Sequence, residues 1–89
     1  MKTHKRITLD QTCFACPEQY DAYLDGEKVG YLRLRHGYFS VSTSPAIDGI
    51  FLWGTCTIGD GIFDESERPK MLKKARKKIA AHLDSLANE

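Results

Sequence analysis

Two cysteines spaced three positions apart are the residues with the clearest chemical potential in this chain. Cys13 and Cys16 have the spacing at which two thiolates hold one metal ion in a zinc knuckle. Cys56 with His4 or His36 could complete a site of three cysteines and one histidine. A zinc ribbon normally has a second paired knuckle, whereas Cys56 stands alone in an apolar stretch. We therefore expect ordinary cysteines and no metal or other cofactor, with a redox pair as a further alternative.

The remaining reactive residue types do not form a catalytic motif. His36 falls in a predicted tight turn and His82 on the flank of a predicted helix. No serine or cysteine stands in a local motif that would couple it to either histidine. The stretch Gly59-Asp60-Gly61 has too few glycines, and no following Gly-Lys-Ser/Thr, for a phosphate-binding loop. We expect a protein that is not an enzyme.

A run of basic residues near the C-terminus could bind phosphate. Each phosphate that such side chains neutralise releases counterions and strengthens nucleic-acid binding. On a helix, however, these side chains spread around the whole solvent arc, as on any solvated amphipathic helix. The run is therefore a solvated face, a nucleic-acid site or a site for an acidic protein. The candidate nucleic-acid residues are Lys70, Lys73, Lys74 and Lys77.

Tyrosine and arginine alternate with leucine in the middle of the chain. If one helix covers one side of a sheet, the alternating residues project from the other side. Tyrosine, tryptophan and arginine dominate binding hot spots, and the same mixture can stack on unpaired bases. The alternatives are a local cation–π pair of Arg35 over Tyr38, and a homodimer whose interface is the face with Phe51 and Trp53. The candidate partner-binding residues are Tyr31, Arg33, Arg35, Tyr38 and Trp53.

An antiparallel sheet would position these side chains. Alternation of apolar and polar residues predicts strands over about 6–9, 18–24, 28–35, 38–44 and 50–58. A two-residue loop at His36-Gly37 pairs Leu32 with Val41, so that both strands agree on which side is apolar. The strand over 50–58 is apolar on both sides. This predicts either a central place in the sheet or a covered second face.

The first hairpin leaves two registers open. Asp25-Gly26 supplies the positive-φ positions that a tight reversal needs. A two-residue loop would place Gln19 opposite Leu32. A three-residue loop through Glu27 would place Tyr20 there instead. We prefer the three-residue loop.

A C-terminal helix is predicted over about 67–87. Ser66 is the preferred N-cap, because a cap at Asp64 would place Pro69 beyond the first turn. One apolar stripe at helical spacing must pack on the sheet. Its members are Leu72, Ala75, Ile79, Leu83 and Leu86. The predicted fold class is α+β: an antiparallel β-meander of four to five strands, with one C-terminal amphipathic helix packed on one face.

Size and composition favour one globular domain spanning residues 1–89. The chain has 42% hydrophobic and 28% charged residues, and its net charge of +1 creates no global field that would favour nucleic acid. No apolar run follows the basic N-terminus as a secretory signal would require. The longest apolar stretch, 49–53, is far too short to cross a bilayer. Three cysteines are too few for a disulfide scaffold, so we expect a soluble cytosolic protein.

Two stretches of the chain resemble a family of small phage- and prophage-encoded proteins to which no activity is assigned. The first stretch runs over 17–26 (PEQYDAYLDG) and continues over 29–39 (VGYLRLRHGYF). The second, over 59–63 (GDGIF) followed by Glu67-Arg68, is similar to the segment that precedes that family's C-terminal helix. Together they cover about residues 17–83. The Cys13 and Cys16 pair is not part of the pattern.

The resemblance implies a biological context. Phage genomes encode many compact proteins that bind and redirect host machinery, including inhibitors of host defence. It therefore implies a non-enzymatic accessory protein that binds a host protein partner in the host cytosol. The alternative is a small nucleic-acid-binding domain that uses the basic helix or the tyrosine and arginine face.

Overall fold

A five-stranded antiparallel sheet and one C-terminal helix make up the fold. The computed structural model describes residues 6–14 and 17–87. The strands follow one another in the sheet in the order β1-β2-β3-β4-β5, so each strand pairs with its neighbour along the chain. The element bounds are β1 Ile7–Cys13, β2 Glu18–Leu24, β3 Glu27–Arg35, β4 Tyr38–Thr43, β5 Phe51–Cys56 and α1 Arg68–Ala87. The predicted α+β meander with one helix on one face is confirmed.

Two of the predicted strands differ from those observed. The first strand extends to Cys13, well past its predicted end at residue 9. β5 lies at the free edge of the sheet, so the prediction of a central place is wrong. Its second face is open as well, because Phe51 is 59% exposed.

The register of the second hairpin matches the prediction. Leu32 lies opposite Val41 and Leu34 opposite Phe39, with all four side chains buried on the same side of the sheet. His36 and Gly37 form the loop, and both have positive φ. Positive φ at both central residues is typical of the two-residue turn whose twist matches that of the flanking strands.

The first hairpin combines features of both registers that the sequence allowed. Tyr20 lies opposite Leu32, as the preferred register requires. The loop nevertheless has two residues, Asp25 and Gly26, because Leu24 pairs with Glu27. A β-bulge between the Ala22 and Tyr23 pairs adds one residue to β3 and reconciles the two. The predicted pairing is therefore confirmed and the predicted three-residue loop is wrong.

The helix packs over β3, β4 and β5. Ala75, Ile79 and Ala80 are its buried residues, while Leu72 and Leu83 are partly buried against the core. Leu86 is 38% exposed, so the prediction that the apolar stripe packs on the sheet along its whole length is wrong at its last member.

The helix start differs from the predicted cap. Asp64 lies before a turn, and its carboxylate accepts hydrogen bonds from the amide and hydroxyl of Ser66. Glu67 reaches back to accept a hydrogen bond from the Asp64 amide at 2.9 Å. This reciprocal arrangement is that of a capping box with Asp64 as the cap. Pro69 is nevertheless accommodated, because the regular helix begins only at Arg68.

A buried ion pair joins the helix start to β2. The fully buried Glu18 carboxylate accepts hydrogen bonds from Arg68 Nε at 3.0 Å, from the Phe63 amide at 3.0 Å and from the Tyr20 hydroxyl. Burial alone would raise the pKa of Glu18, but the hydrogen bonds from Arg68, Tyr20 and Phe63 lower it below its ordinary value. The same environment raises the pKa of Tyr20, through burial and its bond to Glu18.

The segment that connects β5 to α1 is organised by a second buried carboxylate. Glu67 accepts hydrogen bonds from the amides of Ile58 at 2.9 Å and Gly59 at 2.8 Å, in addition to that of Asp64. The ion pair of Glu18 and Arg68 also joins the two stretches that carry the resemblance, because Glu18 belongs to the first and Arg68 to the second.

Candidate nucleic-acid interface

Trp53 lies on the helix side of the sheet. It pairs with the buried Val41 in the β4–β5 ladder and packs edge-to-face against Phe39, with ring centroids 6.0 Å apart. The prediction that Trp53 projects from the uncovered face is therefore wrong. Simple alternation would put Phe51 and Trp53 on one face, but Phe51 pairs with Ser42, the residue next to Val41. The β-bulge at Leu52 thus separates the two aromatic rings onto opposite faces.

Trp53 and the helix together form an open groove, which we call the Trp53 groove. It has a volume of about 490 Å³. Its lining residues are Trp53, Lys74, Lys77, Lys78 and Ala81. The ammonium group of Lys78 lies 6.0 Å from the centroid of the indole ring, which is cation–π distance. The groove therefore combines one aromatic ring with three cations and no acidic side chain.

Only two of the four lysines predicted as nucleic-acid contacts line the groove. Lys74 and Lys77 line it, whereas Lys70 and Lys73 lie exposed on the preceding turn of the helix and do not. Within the described ranges 6–14 and 17–87, the six basic residues between 70 and 78 form no salt bridge. Their positive charge is therefore not neutralised by neighbouring carboxylates in this part of the chain.

The opposite side of the sheet, which we call the outer face, holds the other candidate residues. Tyr31, Arg33 and Arg35 project from β3, and Tyr38 from β4, so the structure brings these four together. The Tyr38 ring lies on the sheet over Gly54, in the space that a side chain at position 54 would occupy. It therefore covers the neighbouring strand and is still 44% exposed.

The outer face has mixed charge. Asp10 pairs with Asp21, which in turn pairs with Tyr31, so one carboxylate lies beside the arginine-bearing strand and a second lies one strand further away. Lys28 forms a salt bridge of 3.2 Å with Asp21 and also approaches the Tyr31 ring at 6.0 Å. The Nε atom of Arg33 is buried and has no hydrogen-bond partner among the described residues. Alternating charge of this kind suits a protein surface better than a phosphate backbone.

The cysteines do not assemble as the sequence allowed. Cys13 lies on β1 and Cys56 on β5, at opposite edges of the sheet. Four strand spacings separate these edges, about 19 Å. Cys56 therefore cannot join Cys13 in one metal site. Cys16 and His4 lie outside the described residues. Over 6–14 and 17–87 no three His, Cys, Asp or Glu side chains are grouped so that they could hold a metal ion.

His82 has a structural partner that the sequence did not indicate. Its Nε2 atom lies 2.7 Å from the Asp48 carboxylate, which also accepts a hydrogen bond from the Thr43 hydroxyl. Hydrogen bonds from Thr43 and His82 lower the pKa of Asp48. The contact ties the C-terminal half of the helix to the β4–β5 loop. No helix among the described residues has both the length and the apolar character needed to cross a membrane.

Comparisons with protein-family models, curated proteins and solved structures found no match to this chain. The function of the candidate site is therefore inferred from its geometry alone. Sequence reasoning missed Lys78 and Ala81 as groove residues and placed Trp53 on the wrong face. Residues 50–53 are all apolar, so the sequence carries no local signal for the bulge at Leu52 that turns Trp53 towards the helix.

Proposed function

We propose that this protein is a small nucleic-acid-binding domain that uses the Trp53 groove. The observation that supports this most directly is the convergence of Trp53 with Lys74, Lys77 and Lys78, none of which has a carboxylate partner among the described residues. Lysines that neutralise phosphates supply most of the affinity of such complexes. An aromatic ring beside them adds a surface on which a base can stack.

The helix as a whole supports the same proposal. It carries seven lysine and arginine residues and one aspartate, although the full chain has a net charge of only +1. The positive charge is thus concentrated on one side, and a phosphate backbone would meet a local field that net charge conceals. The outer face carries Asp10 and Asp21 on β1 and β2, and these carboxylates would repel the same backbone.

Charge reversal on one helix tests the proposal. The double variant K74E/K77E removes two groove lysines, and K70E/K73E makes the same change of charge one turn away. We expect K74E/K77E to weaken binding of a labelled oligonucleotide by about tenfold or more, and K70E/K73E to weaken it much less. Fluorescence anisotropy at about 50 mM salt measures both. Equal loss in the two variants would place the site elsewhere, and no binding by the unmodified protein would end the proposal.

Salt dependence gives a second readout. Three phosphate contacts to a single strand predict a slope of about −2 for the logarithm of affinity against the logarithm of salt concentration. Affinity should then fall by more than about tenfold between 50 and 200 mM salt. A slope near zero would show that the lysines do not contact phosphates.

The outer face favours a second candidate function, binding of a protein partner. Arg33 has a buried Nε atom without a partner among the described residues, and no described element covers the face. Tyr31, Arg35 and Tyr38 surround it with the residue types found at binding hot spots. In the context that the resemblance implies, the partner would be a host protein in the cytosol. By binding it, this protein would act as an accessory factor or host-defence inhibitor.

Arginine reversal on the outer face tests this second candidate. Capture of a partner from host lysate is expected with the unmodified protein and with K70E/K73E, and is expected to be lost with R33E/R35E. Equal recovery by both variants would contradict a role for this face. Sedimentation of the purified chain distinguishes the remaining alternative, a homodimer with Phe51 in its interface.

A further inference from the structure

The orientation of Trp53 determines what kind of nucleic acid the groove suits. The indole ring is held by Phe39, whose ring meets it at an interplanar angle of 85°. This contact anchors the indole against the core, and the half-buried ring forms part of the groove wall. An aromatic ring fixed in this way binds a flat partner with little loss of side-chain entropy.

The volume of the groove matches one nucleotide better than a duplex. At about 490 Å³ the open groove has a volume comparable to that of small-molecule sites. A duplex presents phosphates but keeps the faces of its bases stacked inside, so it would contact the lysines and leave Trp53 unused. An unpaired base has a free face that can lie on the indole ring.

Lys78 adds a second element to this site. Its ammonium group now lies against the indole ring, and a base stacked there would compete for the same surface. Displaced from the ring, Lys78 would still be beside the phosphates that flank the base. Lys74 and Lys77 line the same groove and would contact the neighbouring phosphates.

We propose that the Trp53 groove binds single-stranded nucleic acid, with one unpaired base stacked on Trp53 and the adjacent phosphates on Lys74, Lys77 and Lys78. This inference rests on the nucleic-acid-binding function proposed above. It adds the class of ligand, an unpaired strand, and the residue that distinguishes it from a duplex.

Three probes of equal length test the inference. A single-stranded oligothymidylate offers bases and phosphates, an abasic strand offers phosphates alone, and a duplex offers phosphates with stacked bases. We expect the oligothymidylate to bind at least about tenfold more tightly than either of the others. Because Trp53 is the only tryptophan in the sequence, quenching of intrinsic fluorescence reports on this ring directly. The oligothymidylate should quench it and the abasic strand should not.

Substitution of Trp53 provides the matched comparison. W53A should remove the preference for the oligothymidylate and leave affinity for the abasic strand unchanged, whereas W53F should retain part of the preference. F51A removes an exposed aromatic ring from the opposite face of the same strand and should change neither. Thermal melting shows whether W53A is folded. If it is not, fluorescence quenching of the unmodified protein still tests stacking on Trp53.

The outcomes distinguish this inference from the function on which it rests. Equal or tighter binding of the duplex, or equal quenching by the abasic strand, would overturn single-strand recognition and leave nucleic-acid binding in place. Failure of all three probes to bind would overturn both.

Discussion

At the scale of single residues, two glycines have close neighbours of different kinds. A Cβ atom at Gly59 would overlap the carbonyl oxygen of Ile62, which is backbone in the segment organised by Glu67. A Cβ atom at Gly54 would overlap the end of the Tyr38 side chain, which is partly exposed and can turn towards solvent. Backbone cannot move aside without breaking hydrogen bonds, whereas a side-chain end can.

Gly59→Ala is therefore expected to lower the free energy of unfolding by more than about 2 kcal/mol, and Gly54→Ala by less than about 1 kcal/mol. Urea denaturation of the two variants measures the difference. Similar losses would show that Tyr38 is held as firmly as the backbone around Gly59.

The buried ion pair of Glu18 and Arg68 leads to a second prediction at this scale. Arg68→Met leaves the Glu18 carboxylate fully buried and without its cation, so we expect a loss of about 3 kcal/mol in the free energy of unfolding. Arg76→Met is the control, since Arg76 lies on the same helix and has no ion pair among the described residues. Chemical denaturation with a loss no greater than that of the control would contradict the assignment of Arg68 as the stabilising partner.

At the scale of elements, the helix is held on the sheet by the fit of one side chain. Ile79 is fully buried, and its Cδ1 atom lies where a side chain at Gly30 would point, 2.6 Å from an added Cβ atom. Gly30 follows the β-bulge in β3, and the space above it accepts the helix. The absence of a side chain on the strand is thus what lets the helix approach.

A double-mutant cycle tests this fit. Gly30→Ala is expected to cost about 2 kcal/mol through overpacking, and Ile79→Val about 1 kcal/mol through a lost methyl group. Because valine lacks the Cδ1 atom that the new methyl group would meet, the double variant should lose less than the sum by at least about 0.5 kcal/mol. Thermal or urea unfolding gives all three values. Strict additivity would show that the two residues do not share this contact.

At the scale of the whole molecule, four carboxylates have a lower pKa in the folded protein than in the unfolded chain. Hydrogen bonds lower the pKa of each below its ordinary value, against the effect of burial. They are Glu18, Asp48, Asp64 and Glu67. Three of them hold the segment between β5 and α1 in place, so the loss of these bonds would release the helix start.

The protein is therefore expected to lose stability in acid. Each folded pKa lies below the unfolded value of 3.8 for aspartate or 4.5 for glutamate, so the unfolded chain binds more protons in this range. The stabilisation is fully present above about pH 5 and disappears as the pH falls through the folded values. Urea midpoints between about pH 3 and pH 7 measure it. Constant midpoints, or a Glu67→Gln variant with an undiminished slope, would contradict this origin.

The meander and the helix could be predicted from sequence because local rules determine them. Alternation identifies strands, Asp25-Gly26 and His36-Gly37 favour tight turns, and the 3.6-residue period identifies the helix stripe. Each signal involves residues that are neighbours in the chain, so no knowledge of packing is needed. The pairing of Leu32 with Val41 followed from the turn and the alternation together.

Only the tertiary structure decided which face holds Trp53 and therefore where the candidate site lies. One extra residue at Leu52 reverses the alternation in β5, and such a bulge depends on how an edge strand packs against the helix rather than on its own residues. The partner of Glu18 was hidden for the same reason, since Arg68 lies 50 positions away. Amino-acid sequence alone thus determined the elements and their order, while contacts between distant elements decided that the tryptophan and the lysines share one groove.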